Sequence, residues 1–202
     1  MDIYGQFGPR LHDVLTRLTN QIEQLSHQEV AAGRPKLYEH LIGRVKTPAS
    51  MAEKCQRKGF AVSTHAALRD CQDAVGVRIV CNFIDDVYRS LKLLRQASWC
   101  QIVEEKDYIT NAKPNGYRSY HVILKFETPF ADVDGATPGY YYAEIQLRTI
   151  AMDSWASLEH EMKYKHDVKD AARISRELKS VAEQLAACDI QMQTIRQLIQ
   201  ES

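Results

Sequence analysis

Apolar residues recur every three or four positions at Leu11, Val14, Leu15, Leu18, Ile22 and Leu25. That spacing predicts an amphipathic helix over about residues 9–29. A loop carrying Gly33 and Pro35 follows. Ser50-x-x-Glu53 after Pro48 is a capping-box pattern, and Gly59 suits a helix C-terminus, so a short helix is predicted at about 50–58. Residues 75–83, 99–104, 120–126 and 140–148 read as strands, and 85–96 and 150–164 as helices. Segment 129–138, with Asp132, Asp134 and Gly135, is the most loop-like and reads as dispensable. Helices and strands alternate irregularly without an internal repeat, which predicts one α/β layer domain with terminal helices.

The last helix is predicted from about residue 169 to the end. Its apolar positions are Ile174, Leu178, Val181, Leu185, Cys188, Met192, Ile195 and Ile199. Alternating gaps of four and three make a 3.5-residue seam, the period of a coiled coil. Two readings fit: packing on the helix's own domain, or contact with a second subunit. The expected organisation is a main domain over 1–168 and an oligomerisation helix over 169–202.

The chain has 202 residues, enough for one domain with a sizeable core. Basic and acidic residues number 26 each, which argues against binding long nucleic acid through bulk charge. No apolar run approaches a membrane span, and the N-terminus lacks a signal-peptide plan. Five cysteines without a C-x-x-C pair fit a reducing cytoplasm, with neither a disulfide framework nor a zinc site.

Candidate chemistry lies in four places. Arg44 and Lys46 share a face if extended, and Lys54, Arg57 and Lys58 share a helix face, so together they suit a polyphosphate. A solvated helix face is the plain alternative. Asp73 precedes a buried strand that contains Gly76 and Arg78. A carboxylate there suits Mg²⁺, which is held by one or two carboxylates plus substrate phosphates; a capping Asp and an ion-paired Arg are the alternative. Period 2 puts Glu144, Gln146 and Arg148 on one strand face, either a wet face or a cleft wall with Glu144 as metal ligand or base. Around the Pro114-Asn115-Gly116 turn stand Lys113, Asn115, Tyr117, Arg118 and His121, a set suited to a phosphorylated planar ligand. Glu159, His160 and Glu161 are read as structural salt-bridging residues. The combination suits phosphoryl or pyrophosphoryl transfer, and the absence of P-loop and Rossmann motifs excludes those sites.

Four blocks carry a family resemblance: G-R-V-K-T-P-x-S-M-x-x-K-x-x-R-K-G, D-A-V-G-V-R-I-V, K-D-Y-I-T-N-A-K-P-N-G-Y-R-S-Y-H and E-I-Q-L-R-T-I-A-M-D-S-W-A-S-L-E-H-E. In order over about residues 40–166, they resemble the synthetase domain of RelA/SpoT-type (p)ppGpp synthetases. The short length resembles a stand-alone small alarmone synthetase. The resemblance implies a nucleotidyltransferase-like mixed β-sheet flanked by helices. It implies transfer of the β,γ-diphosphate of ATP to the 3′-hydroxyl of GTP or GDP, releasing AMP. Arg44, Lys46, Lys54, Arg57 and Arg78 would hold ATP. Asp73 and Glu144 would carry Mg²⁺, with Glu144 also activating the hydroxyl. Tyr117 would stack on guanine, Lys113, Asn115 and His121 would hold the acceptor, and Gln146 would lie close by. It also implies a homotetramer built through terminal helices.

The chain departs from the family in reading Glu104-Glu105-Lys106-Asp107, a hybrid of its basic and acidic variants. That leaves the choice among GDP, GTP and GMP open. Two other functions remain to be weighed: the same fold acting as a toxin on adenosine nucleotides or the tRNA 3′ end, and a non-catalytic nucleotide sensor.

Overall fold

The computed structural model describes residues 2–164 and 170–201. Its elements are α1 (Arg10–Ala31), β1 (His40–Val45), α2 (Pro48–Arg57), β2 (Val75–Cys81), α3 (Ile84–Gln96), β3 (Cys100–Asp107), β4 (Tyr120–Thr128), β5 (Gly139–Thr149), α4 (Ile150–Tyr164) and α5 (Ala171–Glu201). The strands form one sheet in the order β1-β2-β5-β4-β3. β2 and β5 run parallel at its centre, and every other neighbouring pair is antiparallel. The sheet is therefore mixed.

Alternation along the central strands decides what each face carries. Val77, Ile79, Val122, Leu124, Ile145 and Leu147 are buried, and α1 adds Leu11, Val14, Leu18 and Ile22 to the same core. Helix α3 contributes Val87, Leu91 and Leu94. The other sheet face holds two polar rungs. Arg44, Gly76, Glu144, Ile123 and Glu104 are register partners across all five strands, and Ile42, Arg78, Gln146, His121 and Lys106 are the next set.

Several features differ from the sequence reading, among them β3, which runs to Asp107 where 99–104 is expected. Strand β1 was expected only as an extended approach. It pairs residue by residue with β2, but as an exposed edge strand it shows no buried alternation. Gly43 lets α1 close on it: a Cβ there would meet the Leu15 Cδ1 at 2.7 Å. Helix α2 begins before the expected Ser50 cap. Thr47 is its N-cap, accepting from the Ser50 amide at 3.3 Å, and Pro48 opens the first turn with its preset φ. The segment at 129–138, read as loop-like and dispensable, is organised around one carboxylate. The buried Asp132 carboxylate accepts from the amides of Asp134, Ala136 and Tyr140 at 2.9–3.1 Å and pairs with Arg69 at 2.8 Å.

Helix α5 uses two faces, and only part of its apolar seam packs on its own domain. Leu178, Ala182 and Asp189 are buried against the domain, and Gln193 and Arg196 bond to Asp85 and Asp86 at the head of α3. Ile174, Val181, Cys188, Met192, Ile195 and Ile199 are exposed.

Candidate active site

The two polar rungs floor a pair of clefts that share Glu144. The first is lined by Ile42, Arg44, Lys46, Asp73, Gly76, Arg78, Glu144 and Gln146. The second is lined by Glu104, Lys106, Tyr108, Lys113, His121 and Glu144. Gly76 stands between Arg44 and Glu144 in the first rung, and a Cβ there would meet nothing nearer than 4.0 Å. The missing side chain leaves the floor open between a cation and a carboxylate, where a ligand can approach the backbone.

Asp73 is buried and enters the first cleft from the turn before β2. The preceding residue, Gln72, adopts a left-handed φ of 59°, an uncommon choice for a residue with a side chain. One Asp73 oxygen, Oδ2, pairs with Lys46 Nζ at 2.7 Å and Lys54 Nζ at 2.5 Å. The other, Oδ1, is buried without a partner. A buried carboxylate oxygen with an open valence in a cleft of cations fits a divalent ion or a ligand donor. Lys46 is itself positioned by Tyr4, whose hydroxyl donates to the Lys46 carbonyl at 2.8 Å.

Glu144 Oε1 accepts from His121 Nδ1 at 3.1 Å, and Oε2 accepts from Gln146 Nε2 at 2.8 Å. Burial pushes this carboxyl upward. The His121 contact, Gln146 and the charge of Lys54 outweigh burial and hold its pKa down to about 2. Glu144 is therefore an anion throughout the physiological range.

A hydrogen-bond chain runs back from Glu144. His121 Nε2 lies 2.8 Å from the Tyr117 hydroxyl, which accepts from Arg148 at 2.7 Å. Arg148 also donates to Gln146 at 2.9 Å and to Asp153 at 3.0 Å, and Asp153 pairs with Arg78 at 3.1 Å. Asp153 thus bridges two guanidinium groups. Burial, followed by the Arg148 charge, pulls Arg78 below its ordinary value, and its Nε is buried without a partner. This crowding of cations is what a polyphosphate would relieve.

The loop residues form an aromatic cluster. Lys113 Nζ lies 4.5 Å from the Tyr108 ring centroid and 4.7 Å from that of Tyr117. Asn115 builds the turn: its Oδ1 accepts from the Tyr117 amide at 3.2 Å, and its Nδ2 donates to Glu159 at 3.1 Å. The Gly116 amide closes the turn on the Lys113 carbonyl at 2.8 Å.

The structure brings together Arg44, Lys46, Lys54, Asp73, Arg78, Glu144 and Gln146 at the first cleft, and Lys113, Tyr117 and His121 around the second. Gln146, expected near the acceptor, faces the first cleft beside Arg78. Arg57 is exposed on the last turn of α2 and is not among the cleft-lining residues. Sequence reasoning gave Arg148 no role beyond its strand face, and it missed Asp153 and Tyr108 as site members. Arg148 was visible in the same period-2 face as Glu144, and Tyr108 in the K-D-Y-I block. Asp153 stood in the fourth block, but only the fold brings it between the two arginines.

Residues 43–169 match the family model described as "Region found in RelA / SpoT proteins". The chain belongs to this RelA/SpoT family. It is 43% identical over 145 residues to GTP pyrophosphokinase YwaC of Bacillus subtilis strain 168, covering 72% of this chain and 67% of that protein. Its fold is similar to small alarmone synthetase 1 from Bacillus subtilis bound to its product pppGpp, with a TM-score of 0.83, 29% identity and 96% of each chain covered. It is also similar to that synthetase bound to AMPCPP, with a TM-score of 0.75, 27% identity and coverage of 97% of this chain and 96% of the other. All four sequence blocks of this RelA/SpoT chain fall within the matched region.

Proposed function

We propose that this protein is a GTP/GDP diphosphokinase, moving the β,γ-diphosphate of ATP to the 3′-hydroxyl of GTP or GDP and releasing AMP. The observation that carries the reading is Glu144 standing as the common wall of two clefts. Transfer between two nucleotides needs two sites that meet at the reacting phosphorus. Arg44, Lys46, Lys54 and Arg78 hold the ATP phosphates. Lys113, Tyr117 and His121 hold the acceptor, and Asn115 fixes the turn that carries Lys113 and Tyr117.

Asp73 and Glu144 would hold Mg²⁺, a role supported by the unpartnered Asp73 Oδ1 and the low pKa of Glu144. The metal would neutralise charge on the transferred phosphates. A carboxyl held near 2 is a weak base, so Glu144 acts mainly as an anionic ligand and orienting group. Phosphoryl transfer asks more for positioning and charge neutralisation than for strong base catalysis.

The relatives' activity and the pppGpp-bound neighbour support a guanine acceptor over adenosine nucleotides or tRNA. Incubation with labelled ATP, Mg²⁺ and GTP, GDP, GMP, ATP or tRNA tests the assignment. Label should appear on guanine nucleotides with release of AMP. Asp73→Asn and Glu144→Gln should lower turnover by about 10³-fold or more while preserving the fold. Ordinary turnover by either variant would contradict the reading.

The exposed apolar stripe of α5 supports self-association, with tetramer formation the expected outcome. Residues 171–201 would then serve both the domain and its assembly. Among the described residues no helix is long and apolar enough to cross a membrane.

A further inference from the structure

We infer that α5 completes the acceptor half of the site, with Ala182 the positioning residue that sets where Tyr117 stands. The inference rests on the proposed role of Tyr117 in holding the acceptor. The acceptor turn lies directly on α5. A Cβ added at Gly116 would stand 2.5 Å from the Ala182 Cβ and 3.2 Å from the Lys179 Cα. Two small residues therefore face each other where the turn meets the helix. Gly116 also needs its φ of 92°, so the turn cannot retreat by an ordinary backbone adjustment.

The helix is pinned on both sides of this contact. Trp155 Nε1 donates to the Leu178 carbonyl at 2.9 Å, one turn before Ala182. Thr149 Oγ1 donates to the buried Asp189 at 2.6 Å, two turns after it. Thr149 also receives the Met152 amide at 3.2 Å, so the second pin joins α5 to the end of the strand that carries Glu144, Gln146 and Arg148. Trp155 in turn packs edge-on against Tyr117, with ring centroids 6.4 Å apart. The buried stripe of Leu178, Ala182 and Asp189 thus forms a fixed backing for the turn.

The next residue after Gly116 is Tyr117, whose hydroxyl is held by His121 and Arg148. A larger side chain at 182 must lift the turn and draw Tyr117 from these partners. Arg44, Lys46 and Asp73 line the first cleft, whereas Ala182 and Gly116 line a separate hollow, so ATP binding should be spared. Val181, adjacent to Ala182, faces outward in the exposed stripe. Contact made on that outer stripe would therefore bear on the same turn of helix that backs the acceptor loop.

Calorimetric binding of GDP and of a non-hydrolysable ATP analogue to the full chain tests this. Ala182→Leu should weaken GDP binding about tenfold or more, the usual scale of overpacking a closed contact, and change binding of the ATP analogue by less than about twofold. Ala187→Leu, at an exposed position of the same helix, should change neither. If Ala182→Leu does not fold, Ala182→Val is read in the same way. Unchanged GDP affinity, or equal loss of both ligands, overturns the inference. Wild-type protein that binds the ATP analogue but accepts a non-guanine acceptor overturns instead the acceptor assignment on which it rests.

Discussion

His121 Nδ1 stands 3.1 Å from Glu144 Oε1, and this contact leads the influences that lower the pKa of the carboxylate shared by the two clefts. Burial alone would push Glu144 above its ordinary 4.5, whereas the structure holds it near 2. Replacing His121 with Ala removes the leading opposing influence and should raise the Glu144 pKa. The acid limb of the kcat profile then moves to higher pH. The stability effect has the same origin. A depressed carboxyl contributes stability above its unfolded value, and that contribution is lost as pH falls toward 2. The variant should lose it at higher pH. A pH–rate series with a parallel acid-melting curve measures both shifts, and an unmoved acid limb would count against this role of His121.

Tyr117 has a ring and a hydroxyl with separate jobs. Its hydroxyl links Arg148 to His121, while its ring offers a stacking face presently covered by the Lys113 ammonium. Tyr117→Phe keeps the ring, so acceptor KM should change little while kcat falls through the loosened His121. Tyr117→Ala removes the ring and should raise acceptor KM by roughly 10- to 100-fold, the scale of one base stacked on an aromatic. Steady-state kinetics with acceptor varied at saturating ATP separates the two. Equal KM changes in both variants would exclude stacking.

Gly76 leaves the floor of the first cleft bare between Arg44 and Glu144. A valine fits a central strand, and the nearest atoms to the added Cβ, the Arg44 and Glu144 carbonyl oxygens, lie at 4.0 Å, so Gly76→Val should fold normally. It would occupy the space proposed for ATP phosphates. Binding of an ATP analogue should weaken by about tenfold or more, while GDP binding at the second cleft persists. Calorimetry with each nucleotide alone reads this split.

The sequence made visible the elements whose pattern is enforced by burial. Strands β2, β4 and β5 announce themselves because their alternate residues fill the core, and the same alternation places Glu144 and Gln146 on one face. Strand β1 lies at the sheet edge, where an exposed Ile42 and a Gly43 carry no such pattern. The Glu104-Glu105-Lys106 hybrid becomes clearer once alternation is applied to a real strand. Glu104 and Lys106 face the second cleft and pair at 2.7 Å, while Glu105 points away to Arg95 and Tyr120. Only one acidic residue of the hybrid therefore meets the cleft. Arg148 and Asp153 were harder to read, because what joins them is a bridge between a strand and the following helix. No local spacing encodes that bridge.

Asp132 shows why a segment rich in turn residues need not be expendable. Three backbone amides and Arg69 converge on one buried carboxylate. Burial pushes its pKa up, but those amides and Arg69 hold the group below its ordinary value. Asp132→Ala should cost roughly 3 kcal/mol, the scale of leaving buried amides without an acceptor. In the parent chain the Asp132 contribution is full above the ordinary carboxyl range and fades as pH falls through its lowered value. Urea melts at neutral and acid pH should show a large difference between parent and variant at pH 7, narrowing in acid.

The outer stripe of α5 allows assembly to be separated from folding. Met192 and Ile195 are about half exposed, whereas Leu178, Ala182 and Asp189 are buried. A charge on this stripe leaves the chain's own core untouched but would be driven into an apolar contact between copies. Ile195→Glu should therefore preserve the helical signal and thermal unfolding of the single chain while lowering the molar mass in solution. Sedimentation across a range of protein concentrations measures this directly. A parent that is already monomeric at all concentrations, or an Ile195→Glu variant that keeps the parent's mass, would remove the outer stripe as the contact. If mass falls and GDP binding weakens together while ATP-analogue binding holds, the helix links assembly to the acceptor turn. That pattern is expected from Val181 facing out where Ala182 faces the turn.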